Sequence, residues 1–246
     1  AIHRMLNKPK MEVLPVLALL TATLFWGLLW FPMRWLAAHG LPGLWATALL
    51  FASALAAGVP VLWRWRGQLA LRPGMLSGLL LSSGWCNTAF ILAVLDGQVV
   101  RVMLLFYLSP VWAVLLARLL LKERMPATAW LTLVLALSGG VIILWNPALR
   151  QPWPQDHADW LAITSGMAFA LSNVFIRMGE EIRAALKTVV SWAGVALVAG
   201  ILLALGTGEA AVWSVANVTV AVTLVVAGIG VVGTCLVYGV THMPVH

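Results

Sequence analysis

Asn87 and Thr88, Ser172 and Asn173, and Thr234 and Tyr238 stand well inside long apolar runs of the chain. An amide or hydroxyl in such a setting must hydrogen-bond something, and the choice is a neighbouring helix or a bound molecule. The chemistry these residues offer is recognition. A proline sharpens the point. In "LLFYLSPVWAVLLARLLLKERM", residues 104 to 125, Pro110 cannot donate to the carbonyl of Phe106, so a helix there must kink and leave a carbonyl free. In hydrocarbon such a break is tolerated where the backbone faces protein or a wet cavity. Tyr107 and Ser109 flank it. Trp26, Trp30, Trp85 and Trp112 also lie deep in apolar runs, where an indole packs, faces lipid or offers a surface to a cation. The residues expected to line a binding site are Trp26, Asn87, Tyr107, Asn173 and Tyr238, with Pro110 as the kink beside it.

Bond-making chemistry has little to draw on. The chain contains no H-E-x-x-H, no glycine-flanked nucleophilic serine, no phosphate loop and no intramembrane carboxylate pair, so an enzyme is not expected. His3, His39, His157, His242 and His246 fall in termini or connections. The carboxylates collect at the ends of the apolar runs, Asp96, Asp156, Asp159 and Glu209 at one and Glu12, Glu123, Glu180 and Glu181 at the other. A buried proton relay is therefore unsupported. Cys86 and Cys235 lie in apolar runs and read as buried thiols, and neither a metal site nor a cofactor is expected.

The elements that must position these residues follow from composition. Of 246 residues 62% are hydrophobic and 9% charged, and the apolar runs match the ~20 residues that cross a bilayer. The expected fold is an all-α polytopic membrane protein, with spans near 13–36, 43–63, 75–95, 102–121, 126–146, 159–178, 187–206 and 217–240. The run after "AIHRMLNKPKMEVLP" is too long for a cleaved signal peptide and reads as the first span. An amino terminus inside the cell would put Arg4, Lys8, Lys10, Arg64, Arg66, Arg72, Arg118, Lys122, Arg124, Arg177, Arg183 and Lys187 on the cytoplasmic side. Only Arg34, Arg101 and Arg150 would lie outside. The formal charge of +7 thus reports topology, and nucleic acid is not an expected partner. Most tryptophans, such as Trp63, Trp65, Trp145 and Trp213, fall near span ends as interfacial anchors.

Arg34 and Arg177 each end a span and read as snorkelling side chains, with Arg34 or Arg101 also able to draw an anion at the outer mouth. Gly74, Gly78, Ser138, Gly139 and Gly140 read as close-packing positions.

The chain also compares with itself. "ATLFWGLLWFPMR" (22–34) laid over "SGMAFALSNVFIR" (165–177) pairs Trp26 with Phe169, Gly27 with Ala170, Leu28 with Leu171 and Arg34 with Arg177. Thr88 over Thr234 needs nearly the same offset. Five spans per copy would invert the second copy, as in many secondary transporters with a midplane site between halves.

"SPVWAVLLARLLLKERM" (109–125), "TLVLALSGGVIIL" (132–144) and "FWGLLWFPMRW" (25–35) resemble the EamA branch of the drug/metabolite transporter superfamily. The resemblance implies ten helices as two inverted five-helix repeats, and many members export amino acids or other small metabolites. It divides this chain into a first repeat, 13–146, a periplasmic linker, 147–158, and a three-helix second repeat, 159–246. By that register the second copy is two helices, about 45 residues, short, and the ninth helix would carry the second proline motif. The expected function is a secondary transporter of small metabolites such as amino acids, an exporter or facilitator in the inner membrane working by alternating access. Its expected partners are a small-molecule substrate and the lipid bilayer. A non-transporting receptor or assembly subunit is the alternative. Substrate, coupling ion and oligomeric state are not encoded in any motif found.

Overall fold

The computed structural model describes residues 13–121, 127–145, 153–226 and 228, some in α1, α7 and α10 by backbone alone. Among the described residues ten α-helices run in chain order: α1 (Val13–Leu28), α2 (Trp30–Ala38), α3 (Gly43–Trp65), α4 (Pro73–Asp96), α5 (Val99–Phe106), α6 (Ser109–Leu116), α7 (Ala127–Leu144), α8 (His157–Met178), α9 (Ala184–Ala204) and α10 (Val215–Val226). Among the described residues there is no strand. Among the described residues five segments are long and apolar enough to cross a membrane, Gly43–Ala70, Pro73–Asp96, Val99–Leu120, His157–Met178 and Ala184–Ala204. The protein is an all-α, multi-pass membrane protein.

Two expected spans are not continuous helices. The first divides at Leu29 into α1 and α2, and the fourth divides at Tyr107–Leu108 into α5 and α6. The second break follows from proline chemistry. Ser109 and Pro110 open α6, where the absent N–H costs nothing. Tyr107 N–H closes the preceding turn on Met103 O at 2.9 Å. The expected eighth span is described only as far as α10.

Helix α4 is the hub. It packs along α8 and α9, while α3 packs on α9, α5 and α6 on α8, and α10 on α3 and α2. Small residues allow this closeness. A Cβ on Gly84 would lie 2.5 Å from the Gly194 carbonyl, and one on Gly194 would collide with the Leu80 carbonyl, so the α4 and α9 backbones touch. Gly78 accommodates Phe175, as expected of a packing position, whereas Gly74, Gly139 and Gly140 meet nothing within 4 Å. The Ser82 and Ser172 hydroxyls meet at 3.0 Å across α4 and α8, which makes Ser172 interhelical glue. Thr88 is fully buried in the same region, and its hydroxyl has no hydrogen-bond partner among the described residues.

The face bearing Asp96, Asp156, Asp159 and Glu209 is here called the acidic end, and the face bearing Arg64, Arg66, Arg72 and Arg183 the basic end. At the acidic end a buried ion pair ties α5 to α8. Arg101 is 3% exposed and Asp159 1%. Nε of Arg101 donates to both carboxylate oxygens at 2.8 and 2.9 Å, and an Nη to Oδ2 at 2.7 Å and to Trp153 O at 2.6 Å. The Gln155 N–H adds a further hydrogen bond to Asp159 at 2.9 Å, and the Asp156 side chain caps α8 on the Asp159 N–H. Each charge sits in the first turn of its helix, so the macrodipole favours Asp159 and opposes Arg101. The carboxylate compensates the guanidinium directly. Arg101 is therefore not the outer-mouth anion receptor that its sequence position suggested.

Removing one partner of such a pair leaves a buried charge and costs about 3–5 kcal/mol. Asp159→Asn is expected to lower the thermal midpoint in detergent by several degrees, and Arg101→Met with Asp159→Leu to recover most of the loss. Equal midpoints for wild type and Asp159→Asn would deny the pair this role. Gly194→Ala, which drives a methyl into the Leu80 carbonyl, is expected to cost about 1–3 kcal/mol in the same assay.

Candidate functional site

The break in the fourth span opens a cavity. Helices α1, α4, α5 and α8 border a half-open cavity of about 440 Å³ lined by Thr23, Gly27, Cys86, Asn87, Phe90, Met103, Phe106, Tyr107 and Phe169. Thr23 and Gly27 share a face of α1 one turn apart, and Asn87 and Phe90 share a face of α4. Phe106 and Tyr107 end α5 where the ladder is interrupted. Phe106 organises the aromatic wall, with ring centroids 4.9 Å from Phe90, 6.2 Å from Tyr107 and 5.5 Å from Phe169, all at tilted or edge-on angles.

The Phe106 carbonyl, freed by Pro110, faces Gly166 of α8. A Cβ on Gly166 would lie 2.7 Å from that oxygen, so glycine lets the broken helix lie directly on the second half. Asn87 is the polar group deepest in the cavity wall. Its Nδ2 donates to the Ser83 carbonyl one turn back at 2.9 Å. Among the described residues its second N–H and its carbonyl bond nothing. This arrangement can orient one polar group of a ligand while the rings hold an apolar body.

Beyond Asn87 the cavity narrows. A neck of about 20 Å³ shares Asn87, Phe90 and Met103 with it and runs on to Trp30, Met33 and Val94, towards the acidic end. There Arg34 donates from Nε and an Nη to Val94 O at 3.2 and 2.8 Å, and from the same Nη to Gly97 O at 2.6 Å. A cation on these carbonyls suits the negative end of the α4 dipole. Arg34 therefore clamps α2 to α4, and its snorkelling reading is replaced by this helix cap.

A larger cavity, about 730 Å³, opens at the acidic end on the other side of α4, lined by Arg34, Trp85, Asp96, His157, Glu209 and apolar side chains of α3, α4, α8 and α9. Its charges sit at span ends, where water reaches them in any case. The smaller cavity is the more informative because its polar group lies at mid-depth.

Of the five residues expected at a site, Asn87 and Tyr107 line one cavity together. Trp26 lies on α1 between Thr23 and Gly27, with its indole outside the described side chains. Asn173 is exposed on α8 and does not line this cavity. Tyr238 lies outside the described residues. Pro110 stands beside the break it was expected to cause. The aromatic residues Phe90, Phe106 and Phe169 and the thiol of Cys86 carry no sequence signal of a site. Phe169 is nonetheless the residue that the internal comparison set over Trp26.

The chain is 28% identical over 160 residues to an uncharacterized transporter of Pseudomonas aeruginosa, an alignment covering 61% of this chain and 50% of that protein. The chain thus spans about half the length of the curated relative it matches. No solved structure matches it. The model of the EamA-like transporter family matches residues 13–145, more than half of the sequence. The chain belongs to the EamA-like transporter family.

Proposed function

We propose that the protein is a secondary transporter that exports or facilitates the movement of a small metabolite bearing a polar group on an apolar or aromatic body, amino acids among them, by alternating access. One observation carries this reading. A mid-depth cavity takes its walls from both sides of the linker, from α1, α4, α5 and Tyr107 on one and from Phe169 on α8 on the other, and it holds an amide that has unused hydrogen-bonding capacity among the described residues, beside an interrupted helix. Unsatisfied backbone and amide groups at membrane depth are tolerated where they line a cavity.

The packing supports two inverted repeats over 13–146 and 159–246. The offset of about 143–146 residues seen in the sequence carries α1 and α2 onto α8, α3 onto α9, and α4 onto α10. Under that exchange the contacts of α4 with α8 and α9 become contacts of α10 with α2 and α3, and both sets occur. The basic excess at the end that bears Arg64, Arg72 and Arg183 supports an inner-membrane protein with a cytoplasmic amino terminus. A small-molecule substrate and the bilayer are the partners this reading requires, and it requires no catalytic group.

In proteoliposomes, flux of a panel of labelled amino acids should saturate for at least one member. Asn87→Ala should then lower flux at limiting substrate about three- to tenfold, the worth of one hydrogen bond, while Asn173→Ala leaves it unchanged. Flux that is saturable yet indifferent to Asn87→Ala and Tyr107→Phe would move the site elsewhere. No saturable flux for any member would remove the amino-acid class.

A further inference from the structure

At the basic end, the last turn of α3 meets the connection between α8 and α9. The Trp65 indole is half-buried against the apolar cluster of Met75, Leu79 and Leu186. Two guanidinium groups lie over it, Arg64 from α3 at 5.1 Å and Arg183 from the start of α9 at 4.8 Å from the ring centroid. One turn back, Arg66 lies 4.6 Å over Trp63, whose ring is 71% exposed. All three arginines are exposed, and none of their side chains pairs with a carboxylate among the described residues.

The neighbouring charges are otherwise engaged. Arg72 holds Glu181 at 2.7 Å, and Glu181 titrates below the ordinary carboxylate value, first through its own backbone N–H and then through Arg72. Lys187 donates to Ile176 O and Gly179 O, both at 3.0 Å. Glu180 is the one carboxylate in this turn without a cation on it among the described residues. Helices α4 and α9 begin at this end, so their positive dipole ends face the same side. The exposed face of α3 that leads here, Val59 and Trp63 one turn apart, is apolar.

We infer that this end of α3 is a binding site for an anionic phospholipid, its headgroup phosphate held by Arg64 and Arg183 on Trp65 and its acyl chain lying along Val59 and Trp63. A guanidinium laid over an indole is held in place and keeps N–H groups for phosphate oxygens. The apolar face distinguishes a lipid from a free phosphate, which would have no use for it. Because Arg64 belongs to the first half and Arg183 to the second, the lipid bridges the halves at the end opposite Arg101 and Asp159.

The test is lipid retention by native mass spectrometry, with the protein extracted from nanodiscs of phosphatidylcholine with or without phosphatidylglycerol. Wild type should retain phosphatidylglycerol in preference, and each of Arg64→Gln and Arg183→Gln should weaken retention about fivefold, the worth of one interfacial cation. Arg64→Lys with Arg183→Lys keeps the charge but loses the planar fork and should also weaken it. Arg66→Gln, on an exposed ring, keeps the test open if the other variants do not fold, and a loss of retention is expected there too. Free inorganic phosphate should not compete. The inference fails if wild type shows no preference, if Arg118→Gln on the exposed turn after α6 costs as much as Arg64→Gln, or if the lysine pair binds as wild type does, since each outcome means diffuse charge without a site.

Discussion

A guanidinium and a carboxylate buried together must stay together, and in this protein they belong to different halves of the chain. Arg101 stands in the first turn of α5 and Asp159 in the first turn of α8, and neither is more than a few per cent exposed. Once they are paired, α5 and α8 are registered at the acidic end. The Phe106 carbonyl then lands on Gly166, about one and a half turns further along α5 and about two along α8. The aromatic wall around Phe106 and the mid-depth cavity depend on that registration. Replacing the pair with apolar side chains would give up the guanidinium donor that holds the Trp153 carbonyl and the carboxylate acceptor that holds the Gln155 N–H at the mouth of α8.

Helix α4 divides the interior. Positions 85, 92 and 96 recur on one face and line the charged cavity at the acidic end, while 86, 87 and 90 lie about 100–200° around and line the mid-depth cavity. The same helix is backed by glycine contacts to α9 and the serine contact to α8. A helix fixed on both flanks suits a partition. The division of the first span at Leu29, with α2 clamped to α4 by Arg34 and α1 carrying the exposed stripe Leu17, Leu20, Leu24 and Leu28, places the less anchored segment beside the cavity.

Much of the architecture was legible from run length and charge. The apolar periodicity of about 20 residues locates the helices, and Pro110 locates the break, because an imino acid removes a donor wherever it stands. Asn87 and Tyr107 were legible as polar groups in an apolar setting. The ion pair was not, since 58 residues separate its members and each alone looks like a loop charge at a span end. Arg34 misled for a related reason: a snorkelling arginine and one capping a neighbouring helix have the same sequence, and only packing tells them apart. Asn173 shows the limit from the other side. It neighbours Ser172, which faces α4, and a single residue's rotation of about 100° carries it away from the cavity.

Transport through this site requires the mid-depth cavity to be wet and accessible in the folded protein. The most direct measurement is labelling of Asn87→Cys by a membrane-impermeant maleimide, in a background of Cys86→Ala and Cys235→Ala, with Ser172→Cys at the buried contact of α4 and α8 as the comparison. The account predicts reaction at position 87 and none at 172. A protein that folds, fails to react at position 87 and still carries out saturable flux would contradict it.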